Sequence, residues 1–303
     1  MLIGEQEITG IYIGAQAVRQ VYIGDTLVWP TSQVDDEPVC FTAEQANSTI
    51  MVRAQGSAPA LTLVTSTDGE NWTPYTVGDT ITLANVGDKV YFAAGEGGNT
   101  TWATNSYTYN MFRGTGRYSA SGNIMTLLDK DDPPTAITTN YCFANLFNGD
   151  TALSTAPRLP ASTLANYCYR QMFYNCTTLR AAPELPAVTL ASYCYYSMFK
   201  GCTGLTTAPV LPATTLAGYC YNGMFQGCRS LTTAPALPAT TLATNCYQYM
   251  FSGCTSLTTA PTLPATTLTG NCYSSMFNGC TGLTTAPELP ATTLNLACYS
   301  YMF

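Results

Sequence analysis

CYNGMFQGCRSLTTAPALPATTLATN, residues 220–245, decides the fold of this chain. The preceding 26 residues open on Cys194-Tyr-Tyr-Ser-Met-Phe199 and the following 26 on Cys246-Tyr-Gln-Tyr-Met-Phe251. Working outward, Phe147, Phe173, Phe199, Phe225, Phe251, Phe277 and Phe303 keep the step of 26. So do Cys142, Cys168, Cys194, Cys220, Cys246, Cys272 and Cys298, and a second column of Cys176, Cys202, Cys228, Cys254 and Cys280. A fixed period of this size without a charge pattern predicts a solenoid, because one unit cannot bury its own apolar residues and its neighbours must.

Punctuation divides the unit. Leu205-Thr-Thr-Ala208 is β-prone and short, so it reads as a strand. Pro209 and Pro212 end it, since proline cannot donate to a ladder. Thr214 or Thr215 suits a helix cap. Leu216, Tyr219, Cys220, Tyr221, Met224 and Phe225 then fall on one face of a helix, and Gly227 fits its C-terminal stop. The expectation for 141–303 is therefore an α/β solenoid with Leu, Met, Phe and both Cys columns inside. The order F-x-G-C-x-x-L-x-x-A, then L-P, then T-x-L, resembles BspA-type leucine-rich repeats, whose shorter unit reads F-x-x-C-x-x-L-x-x-I-x-I-P. The resemblance covers residues 141–303. It implies a cell-surface or secreted protein that binds other proteins or surfaces, hence adhesion and not chemistry.

The columns that differ between copies are the candidate contacts. Between Ala-Pro and Leu-Pro stand Arg158, Glu184, Val210, Ala236, Thr262 and Glu288; after Phe stand Tyr174, Lys200 and Gln226. Either these drift because water faces them, or they and the adjoining Thr ladder form a ligand surface, which, being polar, uncharged and Tyr-containing, suits glycans or protein patches. The 13 cysteines include no C-x-x-C, which argues against zinc. Buried free thiols acting as small apolar residues are expected, with disulfides the alternative.

The 303 residues carry no His, which removes Ser-His and Cys-His catalytic pairs and His metal ligands. Charge is scarce and uneven. Residues 1–140 hold 6 Lys/Arg against 15 Asp/Glu (net −9), and residues 141–303 hold 5 against 3 (net +2). The acidic balance argues against a nucleic-acid partner. No apolar run reaches membrane-spanning length, and the start, MLIGEQEITG, does not read as a secretory signal.

The front of the chain reads as all-β. Leu2-Ile-Gly4, Tyr12-Ile-Gly14 and Tyr22-Ile-Gly24 align at a period of ten, each giving strand, Gly turn, strand. IYIGAQAVRQVYIGDTLVWP, residues 11–30, resembles N-terminal segments of tailed-phage virion proteins. Residues 1–33 thus read as hairpins for attachment or oligomerisation, with Tyr12, Ile13, Gly14, Tyr22, Ile23, Gly24 and Trp29 as attachment residues. An acidic linker follows. Residues 38–106 read as a small β-sandwich, with strands at 48–53, 61–65, 80–83 and 89–92 and a turn at Asp68-Gly69. Ser66–Trp72 is close to an Asp-box, a structural hairpin. Residues 107–140 read as a cap with an insertion. Its Asp129-Lys-Asp-Asp-Pro-Pro134 is a solvated acidic turn before a proline stop, with calcium as the less favoured reading. The last unit stops at Tyr301-Met-Phe303 without a polar cap; it acts as its own lid, a partner covers it, or the natural chain is longer.

The expected function is a non-catalytic virion structural or accessory protein, fibre or decoration type, that displays a leucine-rich-repeat surface for host or glycan adhesion. Its partners would be other virion proteins, a host surface protein or glycan, and copies of itself, with no cofactor and no nucleic acid. The alternative is a bacterial cell-surface adhesin of the BspA type.

Overall fold

The structure is a computed structural model. It describes residues 36–303 in full and, within residues 1–35, the backbone of six short strands. The chain divides into two compact units, residues 1–36 and 37–303.

In the first unit, β1 (Leu2–Ile3) pairs with β2 (Gln6–Glu7), β3 (Ile11–Ile13) with β4 (Gln16–Val18), and β5 (Val21–Ile23) with β6 (Thr26–Trp29). Each ten-residue copy contributes one antiparallel pair of strands. Tyr12 and Ile13 lie in β3, Tyr22 and Ile23 in β5, and Trp29 ends β6. Gly14, Gly24 and the linker to Asp35 lie outside the described residues.

The second unit begins with two antiparallel sheets. One has the order β10-β9-β12-β7-β14 and the other β11-β8-β13. Their strands are β7 (Val39–Ala43), β8 (Ser48–Gln55), β9 (Leu63–Ser66), β10 (Thr73–Tyr75), β11 (Thr80–Leu83), β12 (Lys89–Ala94), β13 (Tyr109–Thr115) and β14 (Tyr118–Ser121). Residues 109–121, expected in the cap, complete both sheets: β13 pairs along β8 and β14 along β7. Alternation puts Ile50 and Val52 of β8 and Phe41 of β7 inside. Phe112 of one sheet meets Phe41 and Phe92 of the other at ring distances of 4.8 and 5.2 Å. Tyr75 ties the layers, accepting the Val52 N–H at 2.8 Å and donating to the Asp79 carbonyl at 2.5 Å.

The fold is essentially all-β, and no α-helix occurs among the described residues; a single 3₁₀ turn, Ile124–Leu127, follows the sheets. The helix expected over Leu216–Phe225 is absent. In its place the backbone makes overlapping turns. Within one copy, Cys168, Arg170, Met172, Tyr174 and Cys176 donate their N–H groups to Ala165, Tyr167, Tyr169, Gln171 and Phe173, three residues back. The alternate residues Tyr167, Tyr169, Gln171, Phe173 and Asn175 donate instead to Ser192, Cys194, Tyr196, Met198 and Lys200 of the next copy. An α-helix needs every N–H to bond four residues back, and half of these leave the segment altogether.

Backbone torsion explains the choice. Tyr167, Gln171 and Asn175 have φ of 62°, 54° and 57°. A left-handed residue every fourth position breaks a right-handed helix but satisfies the third place of alternate type II turns. In the 219–228 segment the same places are Tyr219, Gly223 and Gly227. The strand expected at Leu205–Ala208 shrinks to one bridging residue, Thr207, parallel to Ala181. A second bridge column joins Thr163 to Thr189, Thr215 to Thr241 and Thr267 to Thr293.

Side chains repeat in register across the copies. Phe147, Phe173, Phe199, Phe225, Phe251, Phe277 and Phe303 form a column of near-parallel rings 5.3 to 5.9 Å apart. The sheets start this column: Phe112 stacks on Phe147 at 5.5 Å. The N–H groups of Trp102, Phe112 and Tyr118 donate to Cys142, Leu146 and Ala152 of the first copy. That occupies three carbonyls of an otherwise open edge.

Candidate binding surfaces

All 13 cysteines are buried and free. Burial pushes the Cys142 and Cys254 thiols up to about 12 and raises Cys176, Cys202 and Cys228 as well, so these are neutral S–H groups. Each thiol of the second column donates to a Phe carbonyl of the copy before. Cys176 reaches Phe147 at 3.0 Å, Cys202 reaches Phe173 at 2.9 Å and Cys228 reaches Phe199 at 3.1 Å. These cysteines are therefore rungs between copies.

What faces water falls into two sets of columns. Arg158, Glu184, Val210, Ala236, Thr262 and Glu288 are exposed, and Val210 is 79% exposed. They run between the two Thr bridge columns, where Thr206, Thr207, Thr214 and Thr215 and their counterparts one copy on are also exposed. Part of this hydroxyl array is already engaged, since Thr206 donates to the Arg180 carbonyl at 3.1 Å and Thr258 to that of Thr232 at 3.3 Å. Arg158 is set apart from its column, because its backbone bonds with Gly122 and Ile124 beside the sheets.

Tyr174, Lys200 and Gln226 are half-buried and lie on the turn segments instead. Lys200 places its ammonium 5.9 Å from the Tyr174 ring centre.

The turn segments hold a feature that the variable columns did not point to. Tyr141, Tyr167, Tyr193 and Tyr219 stack ring on ring at 4.4 to 4.6 Å, within 16° of parallel. All four have φ between 58° and 63°. Burial, then the neighbouring Tyr219 and Tyr167, push Tyr193 up to about 12, so its hydroxyl keeps its proton. Beside them the Arg170 guanidinium lies 5.3 Å over the Tyr196 ring, and Tyr196 leans on Tyr193 at 5.7 Å. The available signal was the Tyr before the first Cys of each copy, replaced by Asn245, Asn271 and Ala297 in the last three.

Other chemistry-bearing groups are internally paired. Asp68 organises the Ser66–Trp72 hairpin, accepting N–H bonds from Glu70 and Asn71 at 2.8 Å and the Ser66 hydroxyl at 2.7 Å. Those bonds, the Asn71 side chain first, hold its carboxyl well below the usual range. Asp129 accepts the N–H groups of Asp131 and Asp132, and Lys130 pairs with Asp131. Asp150 is buried, takes the Tyr118 hydroxyl and the Ala152 N–H, and is raised by desolvation. Among the described residues no group of three His, Cys, Asp or Glu is placed to hold a metal ion, and no helix is long and apolar enough to cross a membrane. The chain matches no family model, no curated protein and no solved structure.

Proposed function

We propose that the chain is a non-catalytic structural protein of a phage particle, of fibre or decoration type. Residues 141–303 form a leucine-rich-repeat solenoid that displays a recognition surface to a host protein or glycan. Residues 1–33 attach the chain to other virion proteins and to copies of itself. One observation carries the reading: N–H groups, thiols and rings link each copy to the next in register, while the outward columns differ from copy to copy. Such a scaffold separates folding from recognition, because the inward positions that stack are not those that vary. The lack of His in the whole sequence supports a role without acid–base chemistry. The likeness of residues 11–30 to tailed-phage segments favours the virion over a BspA-type adhesin on a bacterial surface.

Mass spectrometry of density-purified virions tests the assignment. The expected result is the intact chain at a fixed copy number per particle. Its absence from virions, with recovery from a bacterial surface fraction, selects the adhesin instead.

A further inference from the structure

We infer that the turn segments from Tyr167 to Gln226 are a binding site for a polysaccharide that carries carboxylate groups. This rests on the recognition reading above and names where on the array the ligand sits and what chemistry it has.

Strained backbone recurs down the turn segments, at Gln171, Tyr249 and Tyr301 among others, and in one column it coincides with stacked rings. The left-handed region suits Gly and Asn, and a bulky residue there is an outlier. Asn245 and Asn271 take the position in later copies, yet four consecutive copies carry Tyr at φ near 60°. Ring stacking at 4.4 to 4.6 Å offsets part of that cost. A strained side chain kept in one contiguous block is a reason to look for a ligand there.

The same stacking defines what can bind. Interior rings have both faces covered by each other, so they present edges and hydroxyls. Nucleic-acid bases, which bind single-strand readers by stacking on free aromatic faces, find none within the column. Large exposed apolar side chains such as Val188 and Val210 lie elsewhere, so the apolar anchors of a peptide have little to bury against. A row of hydroxyls one copy apart matches a polymer of hydroxyl-bearing rings laid along the stack.

Charge completes the assignment. No Asp or Glu occurs in residues 166–175, 192–201 or 218–227, while Arg170 and Lys200 do, in a chain of net charge −7. Both cations rest on tyrosine rings, and neither has an ion-pair partner among the described residues. The Arg170 Nη1 atom is shielded from solvent and has no acceptor. A carboxylate supplies the planar two-oxygen acceptor that a guanidinium fork prefers.

The test titrates the purified full chain with sodium polygalacturonate, with its neutral methyl ester, with poly-L-glutamate and with oligodeoxythymidylate. The expected result is binding of polygalacturonate that weakens with salt, and no binding of the ester. The double variant Arg170→Gln/Lys200→Gln weakens binding by about tenfold or more. Tyr193→Asn also weakens it while leaving Tm unchanged or higher, and it decides the matter if the double variant does not fold. Equal affinity for the ester, full affinity in the variants, or preference for poly-L-glutamate or the oligonucleotide overturns the inference. The assay uses no particle, so polymer binding by a chain absent from virions removes the phage reading and leaves this one standing, and the converse separates them equally.

Discussion

At the residue scale, the interior is a set of columns in which one atom repeated many times has one environment. Phe199 lies between Phe173 at 5.5 Å and Phe225 at 5.7 Å, fully buried. Truncation to Ala leaves a ring-sized void that the coils above and below, fixed by their hydrogen bonds, cannot close. Phe199→Ala should cost about 3–5 kcal/mol in a urea unfolding experiment. The neighbouring tyrosine column behaves oppositely. The hydroxyls of Tyr169, Tyr195 and Tyr273 are shielded and have no acceptor in the protein, and Phe143 occupies the first place of the same column, stacked 6.2 Å from Tyr169. Removing an unsatisfied buried hydroxyl removes its desolvation penalty, so Tyr195→Phe should raise stability by about 1 kcal/mol. A loss of stability in that variant would show that the hydroxyl has a partner.

At the element scale, Gly227 tests the turn ribbon. Its φ is 75°, and a Cβ there meets nothing nearer than 3.8 Å. Gly227→Ala therefore isolates the torsion cost, about 1 kcal/mol or slightly more, without a clash. If the segment were helical the same change would stabilise it, so the sign of the shift in unfolding midpoint decides between the two. Asp150, where the sheets meet the first copy, gives a pH test. Burial raises its carboxyl, so the folded chain holds that proton more tightly than the unfolded chain does. Its favourable contribution is complete below the ordinary carboxylate value of about 4 and is lost as pH rises through the raised one. The Tm difference between Asp150→Asn and the parent should therefore move in the variant's favour from about pH 4 to about pH 7. A flat difference would refute the burial account.

Much of this was legible from the chain alone, and the part that was not has a definite physical cause. The period of 26, the Phe and Cys columns and strands β8, β9, β11 and β12 follow from spacing and alternation. The helix did not survive because its evidence was ambiguous in kind. Cys168, Tyr169, Met172, Phe173 and Cys176 are buried at alternating steps of one and three. Two helical turns and two pairs of overlapping β-turns put the same residues inside, since 3.6 and 4 differ little over ten residues. What separates them is the every-fourth place, Gly223 and Gly227 in one copy and Asn175 in another, where left-handed torsion is cheap. For the candidate surface, the exposed Arg158 column was readable as a column that varies. The tyrosine ladder was hidden because its column is uniform over the first four copies and changes only in the last three, to Asn245, Asn271 and Ala297.

At the scale of the whole molecule, the backbone bonds that join copies always link residue i to residue i+25 across the turn segments. Excision of residues 220–245 rejoins chemically equivalent positions, with Tyr219 followed by Cys246 and every column intact. The shortened chain should unfold cooperatively with a lower Tm, reduced by roughly one inter-copy term. Removing two residues fewer should abolish the cooperative transition, because Phe, Cys and Thr columns then fall out of line in every later copy. If both deletions unfold alike, the register carries no energy.

The sheets engage the Cys142, Leu146 and Ala152 carbonyls of the first copy through Trp102, Phe112 and Tyr118. The array is thereby polar in the directional sense: its start is templated by a different fold, and each later coil inherits its phase from the one before. Inheritance of phase makes the gene a counter. Gain or loss of a whole unit of 26 residues would leave every remaining unit in register. Length along the stack is thus set by arithmetic, while the outward residues of each unit stay free to differ, so length and surface composition can change by separate substitutions and deletions.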